Sequence, residues 1–331
     1  MNRGILQTMA NPNDKQLLSQ IASNQKRQRG GLILTPILFF IAMGIIMAGI
    51  STIQSGNTAL GICIILVGIV AFILSAKYLE HLSDQKNKMK ELVGQSVVRE
   101  ILAERIAIEQ YNPNQYFNRD FLEHCSILPN YDRSSGSDYI SGTYRGVPIT
   151  YCDLHLEVEQ ESTDSDGNTT TSYYTVFRGP VINLALRQPL TGYVRIRERK
   201  NPRKEKGFFS GIVNGAADLF NIDRNTVETE NAQFNQQFKV DASDPQLAFY
   251  VLTPQFMEHI VQADMIVNGY TNIEFNQGIV TLALNNGTDA FELGKYKKND
   301  QFLEEARQRF RYELNSILGI VDEMLTKENL F

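Results

Sequence analysis

The sequence predicts a membrane-anchored α+β protein, with an N-terminal transmembrane helical hairpin, a helical stalk, and then an antiparallel β-sheet with covering helices. Two apolar stretches, Leu32–Ile53 and Ala59–Ala76, contain no charged residue and are separated only by Gln54–Thr58. Each is long enough to cross a hydrocarbon core of ~30 Å as a helix. Closely spaced strand patterns fill the middle of the chain, and a long amphipathic pattern ends it.

The hairpin predicts a multi-pass protein of the inner (cytoplasmic) membrane with both termini in the cytoplasm. Basic residues flank the outer ends of the two apolar stretches, and the connecting loop carries no charge. Because cytoplasmic flanks are enriched in lysine and arginine, the loop is expected on the far side. The flanking residues are Lys15, Lys26, Arg27 and Arg29 before the first stretch, and Lys77, Lys86, Lys88 and Lys90 after the second. Neither stretch contains Asp, Glu, Lys, Arg or His, which argues against a transport path.

Gly44 and Ala48 form a pair of small residues on the first apolar stretch. Small residues at this spacing allow two helices to approach closely. The pair predicts packing of the first helix on the second within the hairpin. Dimerisation between chains is the alternative.

The patterns divide the chain into four predicted segments. They are the cytoplasmic N-terminal segment 1–31, the two-helix transmembrane hairpin 32–76, the cytoplasmic helical stalk 77–112 and the cytoplasmic α+β domain 113–331. In the stalk, apolar residues recur at nearly helical spacing from Tyr78 to about Glu109, and Asn112-Pro113 ends the helix. The stalk is expected to dock on its own domain, and a short coiled coil between chains is the alternative.

Short strand patterns separated by turn signals predict an antiparallel meander at the start of the domain. Arg145-Gly146 forms a tight turn, and Asp166-Gly167 signals a second hairpin connection. Gly179-Pro180 is expected to bend the third strand. The four strands are Asp138–Tyr144, Val147–Val158, Tyr173–Leu186 and Tyr193–Arg199.

Further strands and two helices are predicted toward the C-terminus. Thr253 and Pro254 suit the N-cap and the first position of a helix. From Asp300 to Thr326, apolar residues recur every three or four positions, which predicts an amphipathic helix packed on the sheet. The strands are Phe238–Val240, Leu247–Leu252, Thr271–Phe275 and Gly278–Asn285. Together these elements predict helices that cover one face of the sheet.

Composition argues against several classes of function. The chain has 331 residues and a net charge of −5, so no nucleic acid is expected as a partner. The cysteines Cys63, Cys125 and Cys152 show no paired spacing, which predicts reduced structural thiols. The sequence contains no HExxH, GxSxG, Walker or GxGxxG motif. We therefore predict no cofactor, and a non-enzymatic protein is favoured over an enzyme.

Three stretches resemble a known family. They are Tyr131–Gly142 (YDRSSGSDYISG), Val176–Gly179 (VFRG) and Tyr250–Glu258 (YVLTPQFME). Together they are similar to the bacterial two-transmembrane family catalogued as domain of unknown function 3137, and the resemblance covers both apolar stretches and most of Phe117–Leu325. It implies a paired-helix anchor followed by a cytoplasmic α+β domain. The activity of the family is not established, so the resemblance implies no catalytic residues, and the chain departs from it most at residues 198–230.

Asp153, His155 and Glu157 alternate along one predicted strand and therefore project from the same face. The opposite face is apolar and is expected to pack on the core. The first interpretation of the polar face is simple solvation. The alternative is a divalent-metal, ligand or acid–base site, because imidazole and carboxylates supply that chemistry.

A basic tract followed by aromatic residues begins in the fourth predicted strand. Its members are Arg195, Arg197, Arg199, Lys200, Arg203, Lys204, Lys206, Phe208 and Phe209. The first interpretation is a solvated loop that leads into a short buried helix. Contact with an anionic membrane surface is the second, because basic side chains beside aromatic ones suit lipid headgroups. RNA binding is the third.

These patterns lead to three hypotheses of function. The first is a membrane-anchored cytoplasmic binding or scaffold module, which displays the α+β domain at the inner leaflet. The second is a membrane-surface enzyme or metal-binding protein that uses the Asp153/His155/Glu157 face. The third is an accessory subunit of a larger membrane complex. The expected partners are the lipid bilayer and either another protein or a second copy of the chain.

Overall fold

The computed structural model describes residues 12–163, 169–199, 225–267, 269–292, 301–327 and 330–331. It confirms an α+β fold with two long apolar N-terminal helices, further helices and a nine-stranded antiparallel sheet. The chain forms two compact units. The first comprises residues 1–93 and 293–305, and the second comprises residues 94–292 and 306–331.

The first unit is built from a helical hairpin. Helix α1 spans Pro12–Gln54 and helix α2 spans Thr58–Val93, with Gly56 at a φ of 96° in the turn between them. Within these helices, Leu34–Gln54 and Thr58–Asp84 are long and apolar enough to cross a membrane. Only 11% and 17% of their most apolar windows are buried, whereas the core helix of a soluble protein is mostly buried. Their exposed surface therefore suits lipid better than water.

Four glycines lie at the contact between α1 and α2, namely Gly31, Gly49, Gly61 and Gly68. A Cβ atom added to Gly49 would come within 2.6 Å of Ile65 Cγ1, and one added to Gly68 would come equally close to Ile46 Cγ1. A Cβ atom added to Gly61 would come within 2.8 Å of the backbone carbonyl oxygen of Gly49. The prediction that Gly44 and Ala48 pack the hairpin is corrected, because both are exposed and a Cβ at Gly44 would meet nothing within 4 Å. Dimerisation through that pair stays a prediction.

The second unit opens with a π-helical segment at Gly94–Val98 and helix α3 at Arg99–Ala103. The helix predicted to continue to about Glu109 therefore ends earlier, and Ala107–Asn112 forms strand β1. The correction has a tertiary cause, since β1 pairs antiparallel with the next strand and this pairing outweighs the local helical pattern. The four segment boundaries stay predictions.

The remaining strands complete one continuous sheet. They are β2 (Arg133–Tyr144), β3 (Val147–Thr163), β4 (Thr169–Ala185), β5 (Tyr193–Glu198), β6 (Thr226–Val227), β7 (Phe238–Ala242), β8 (Tyr270–Asn276) and β9 (Ile279–Asn285). Their order is β1-β2-β3-β4-β9-β8-β5-β7-β6. The meander is confirmed for β2, β3 and β4. It is wrong for β5, because the late hairpin of β8 and β9 lies between β4 and β5.

In the part of the chain that the structure describes, five further helices accompany the sheet. They are α4 (Arg119–His124), α5 (Ala232–Gln237), α6 (Pro245–Val251), α7 (Pro254–Ile266) and α8 (Phe302–Leu325). The predicted start of α7 is confirmed, since Thr253 accepts a hydrogen bond from the Phe256 N–H and Pro254 occupies the first turn. The strand predicted at Leu247–Leu252 is instead α6. The sequence signal for this helix was Asp244 followed by Pro245. Asp244 is the N-cap, and its side chain accepts a hydrogen bond from the Gln246 N–H.

The sheet is covered on both faces, so the expectation of a single helical layer is corrected. On one face, α8 contributes Phe310, whose ring lies 5.9 Å from that of Phe291. On the other face, residues 117–128 pack on the apolar side chains Cys152, Leu154 and Leu156 of β3. That apolar side of β3 is the one that the sequence predicts to face the core.

Candidate functional site

A row of polar side chains crosses one face of the sheet from β3 to β6. Its members lie opposite one another in the strand registers, so each contacts its neighbours across a ladder. In sheet order they are Thr150, Asn183, Thr281, Glu274, Arg195, Asp241 and Thr226. Thr281, Glu274 and Asp241 of this row are buried, and buried polar groups cost free energy unless they are paired. This row is therefore the candidate region for function.

Arg195 lies between two acidic side chains of the row. Its Nε donates to Glu274 Oε1 at 2.8 Å, and its Nη1 donates to Asp241 Oδ2 at 3.4 Å. Its guanidinium also lies over the Tyr193 ring, with Cζ 3.8 Å from the centroid. Both acidic side chains are only 4% exposed. The arrangement is thus a buried ionic network that connects β5, β7 and β8.

Protonation states in this network follow from burial and pairing. Burial is the largest single influence on Arg195 and disfavours its charge, but the hydrogen bond to Glu274 and the charges around the guanidinium together outweigh it and raise its pKa. Burial, with a smaller effect of Glu274, raises the pKa of the nearby Cys125 thiol to about 12. Arg195 is therefore a permanent cation, and Cys125 is not a nucleophile at neutral pH.

A groove of about 1180 Å³ opens beside Arg195. Parts of residues 114–134 form one wall, and side chains of β5 and β7 form the other. The first wall is fixed to the sheet, since Arg197 Nη2 donates to Ser126 O at 3.2 Å and Asn272 Nδ2 donates to Ile127 O at 3.2 Å. Tyrosines, asparagines and charged groups line the groove. Such a surface suits a polar, extended ligand.

Asp241 is the most unusual side chain of the groove. The residue is only 3% exposed, and its Oδ2 faces Arg195. Among the residues that the structure describes, its Oδ1 is buried without a hydrogen-bond partner. A buried acceptor left in this state costs about 1–3 kcal/mol. A donor from a bound molecule would offset that cost.

Two members of the predicted basic tract belong to this interior, not to a membrane-facing surface. Arg195 and Arg197 are turned toward the groove by their contacts with Glu274, Asp241 and Ser126. The membrane-contact prediction is thereby corrected for both, because paired guanidinium groups are not available to lipid headgroups. Arg199 is exposed, and its Nε donates to Asn235 O at 2.9 Å. Lys200, Arg203, Lys204, Lys206, Phe208 and Phe209 lie outside the described residues.

The predicted Asp153/His155/Glu157 face is divided by the structure. His155 Nε2 lies 2.8 Å from Thr175 Oγ1 and 3.8 Å from Glu157 Oε1, at a half-buried position. Burial lowers the pKa of His155, although the charge of Glu157 opposes this effect. Asp153 is only 2% exposed, so the prediction that this polar face is simply solvated is wrong for Asp153.

Asp153 belongs to a cluster with Asp138 and Asp289. One carboxylate oxygen from each residue lies within 4.8 Å of the others. Tyr151 donates its hydroxyl to Asp153 Oδ2 at 2.9 Å, and Tyr111 donates to Asp138 Oδ1 at 2.8 Å. Two aspartates are buried and Asp289 is half-buried. This is an oxygen-rich site of the kind that holds hard cations.

Two irregular segments bring these aspartates together. Asp138 occupies a register shift between β2 and β3, at a φ of 57°. The left-handed conformation is one that aspartate adopts more readily than most residues. Asp289 lies in the loop after β9, where Glu313 accepts a hydrogen bond from the Phe291 N–H at 3.0 Å. Burial raises the pKa of Asp153, and the backbone of Ala290 in the same loop slightly favours the charged form of this carboxyl and so opposes that rise.

Sequence reasoning missed part of both sites. The alternation of charged and apolar residues in Tyr193–Glu198 signalled a polar strand face, but not its partners Asp241 and Glu274. No local signal joins Asp138 to Asp289, since one lies at a bulge and the other in a distant loop.

Fold and sites define a class of protein: an α+β domain with a polar groove, in a chain whose N-terminal helices are long and apolar enough to cross a membrane. Residues 175–325 match the family described as "Protein of unknown function (DUF3137)", which confirms the resemblance to that family. The match includes Val176–Gly179 and Tyr250–Glu258 but not Tyr131–Gly142, and it does not extend to the two apolar helices.

No curated protein is significantly similar to the chain. Among solved structures, the crystal structure of the mycobacterial trehalose monomycolate transport factor A, TtfA, aligns with 68% of this chain and 95% of its own at 10% sequence identity. The TM-score is 0.31, and the similarity supports no inference about this chain.

Proposed function

We propose that this protein is a membrane-anchored cytoplasmic binding module that holds a polypeptide segment of a partner protein in its groove at the inner leaflet. The apolar hairpin and its basic flanks support the anchoring and the orientation. The groove of about 1180 Å³ supports the binding role, since it exceeds the ~300–1,000 Å³ of most small-molecule sites. The membrane-surface enzyme is less well supported, because Asp153 and His155 lie in separate contacts.

The proposal depends on Oδ1 of Asp241, which is buried and has no hydrogen-bond partner among the described residues. Arg195 pairs with Asp241 and also with Glu274, so within the described residues this ionic network has one cation for two anions. It therefore favours a ligand that brings a hydrogen-bond donor, and a cationic donor above all. A lysine or arginine side chain of an extended segment has this chemistry, and its backbone would lie between the tyrosines of the groove.

Site-specific photocrosslinking in living cells tests the proposal. A benzophenone amino acid replaces Tyr116 or Tyr131 in the groove, and Tyr312, which is 74% exposed on α8, serves as the matched control position. We expect one protein adduct from the groove positions and none from Tyr312. Adding Asp241→Asn should abolish that adduct, because it removes the charge that attracts the donor. Equal adducts from all three positions, or an adduct that is insensitive to Asp241→Asn, would contradict groove binding.

A further inference from the structure

Three aspartates from separate segments share one small volume on the sheet face opposite the groove-lining row. Asp138 lies at the bulge between β2 and β3, Asp153 lies in β3, and Asp289 lies in the loop after β9. We propose that Asp138, Asp153 and Asp289 together bind a divalent cation that prefers oxygen ligands, of the calcium and magnesium class. The proposal is independent of the groove and of its occupant.

Electrostatics gives the first argument. Carboxylates this close cannot all be ionised in a buried site without a compensating cation, or else protons must remain bound. Asp153 is only 2% exposed, and one of its oxygens lies within 4.8 Å of an oxygen from Asp138 and from Asp289. Among the described residues, no lysine, arginine or histidine forms an ion pair with Asp153. A bound divalent cation would supply the missing charge.

The unused oxygen of Asp153 gives the second argument. Its Oδ2 accepts the hydroxyl of Tyr151, whereas its Oδ1 is buried with no hydrogen-bond partner in the described part of the chain. Tyr111 holds Asp138 in the same manner through Oδ1. Hydrogen bonds of this type orient metal ligands from behind. The pattern fits a built ligand set better than an accidental group of acids.

The donor atoms give the third argument. All three groups are carboxylates, which are hard ligands that suit calcium or magnesium better than zinc or copper. Oxygens bound to calcium at 2.3–2.6 Å are separated by up to ~5 Å, which accommodates the observed limit of 4.8 Å. Ser137 Oγ lies 3.4 Å from Asp289 Oδ1 and links the bulge to the loop. Waters would complete the coordination sphere.

Metal titration of the full chain in detergent tests the proposal. After treatment with EDTA, Ca²⁺ and Mg²⁺ are added in separate arms, and binding is followed by calorimetry and by the thermal unfolding temperature. We expect one equivalent of at least one of these ions to bind and to raise the unfolding temperature. Asp289→Asn should weaken that binding at least about tenfold, since the loss of even an outer-shell partner costs 10–100-fold. Because Asp289 is only half-buried, this variant is expected to fold.

Glu157→Gln is the matched control, because Glu157 is a half-buried carboxylate of the same strand outside the cluster. Its binding should equal that of the unmodified chain. The proposal is overturned if neither ion binds, or if both variants bind as the unmodified chain does. The competing explanation is that the aspartate cluster keeps bound protons and binds no cation. Under that explanation, Asp153→Asn would stabilise the protein, and added Ca²⁺ or Mg²⁺ would have no effect.

Discussion

Arg195 connects the two acidic side chains of the ionic network in the groove. It is the shared partner of Glu274 and Asp241, whose side chains are each only 4% exposed. Removing one partner of a buried ion pair leaves a charge without compensation, which is worse than removing the whole network. The structure thus ties the stability of β5, β7 and β8 to one guanidinium.

We expect Arg195→Met to lower the free energy of unfolding by about 3 kcal/mol, because two buried carboxylates lose their cation. Chemical or thermal denaturation of the chain in detergent measures the loss. Arg187→Met is the control, since Arg187 is exposed, and it should have little effect. Combining Arg195→Met with Glu274→Gln and Asp241→Asn should restore part of the stability. A loss in the Arg195 variant no larger than in the control would contradict the network.

At this scale the sequence predicts which side chains are charged, but not which of them meet. Alternation along β3 correctly places Cys152, Leu154 and Leu156 on the apolar side. It also groups Asp153 with His155, whereas the partners of Asp153 come from residues 138 and 289. Contacts between distant segments depend on register and on bulges, which leave no mark in the local pattern.

An ion pair joins Glu104, the C-cap residue of α3, to Arg311 of α8. Arg311 Nη2 lies 2.7 Å from Glu104 Oε1, and its Nε lies 3.1 Å from both carboxylate oxygens. Hydrogen bonding to Arg311 is the largest cause of the lowered pKa of Glu104. A carboxyl group whose pKa is lowered in the folded state stabilises the fold at pH values above its unfolded-state pKa. This contribution is lost as the pH falls through the lowered folded-state pKa.

A double-mutant cycle with Glu104→Gln and Arg311→Met measures this link. At neutral pH we expect a coupling of at most about 1 kcal/mol, because both side chains are substantially exposed and solvent screens the pair. The coupling should disappear as the pH falls below the ordinary glutamate value of 4.5 and then through the lowered pKa. A coupling of unchanged size in acid would show that charge pairing is not its origin.

Elements with local signals are well predicted. The Thr253-Pro254 start of α7 and the apolar stripe of α8 depend on contacts within a few residues, and both are confirmed. The position of β5 is not predicted, because the β8–β9 hairpin inserts beside β4 only after a long stretch of chain. Likewise, β1 forms where a helix is predicted, since its partner β2 follows more than twenty residues later.

The whole chain combines an apolar hairpin with an α+β domain that carries two distinct polar sites. The groove and the aspartate cluster lie on opposite faces of one sheet, so a ligand and a cation would not compete for the same atoms. The family match covers β8, β9, Arg195 and Asp241, but it begins after Asp138 and Asp153. The groove network is therefore part of the family-matched segment, whereas two of the three proposed cation ligands are not.

Native cysteines make the orientation of the chain measurable. Cys125 and Cys152 are buried, and burial raises the pKa of both thiols, so that neither reacts readily with maleimide. Cys63 lies in the apolar part of α2 and is replaced by serine. Single cysteines are then introduced at Asn57, in the turn of the hairpin, and at Ser162, an exposed position near the end of β3.

Labelling of sealed cells with a membrane-impermeant maleimide tests the central claim that the hairpin crosses the membrane and leaves the domain in the cytoplasm. The Asn57→Cys protein should react in intact cells, and the Ser162→Cys protein should react only after the inner membrane is permeabilised. Reaction of the Ser162→Cys protein in intact cells, or recovery of the unmodified chain in the soluble fraction without detergent, would contradict the claim.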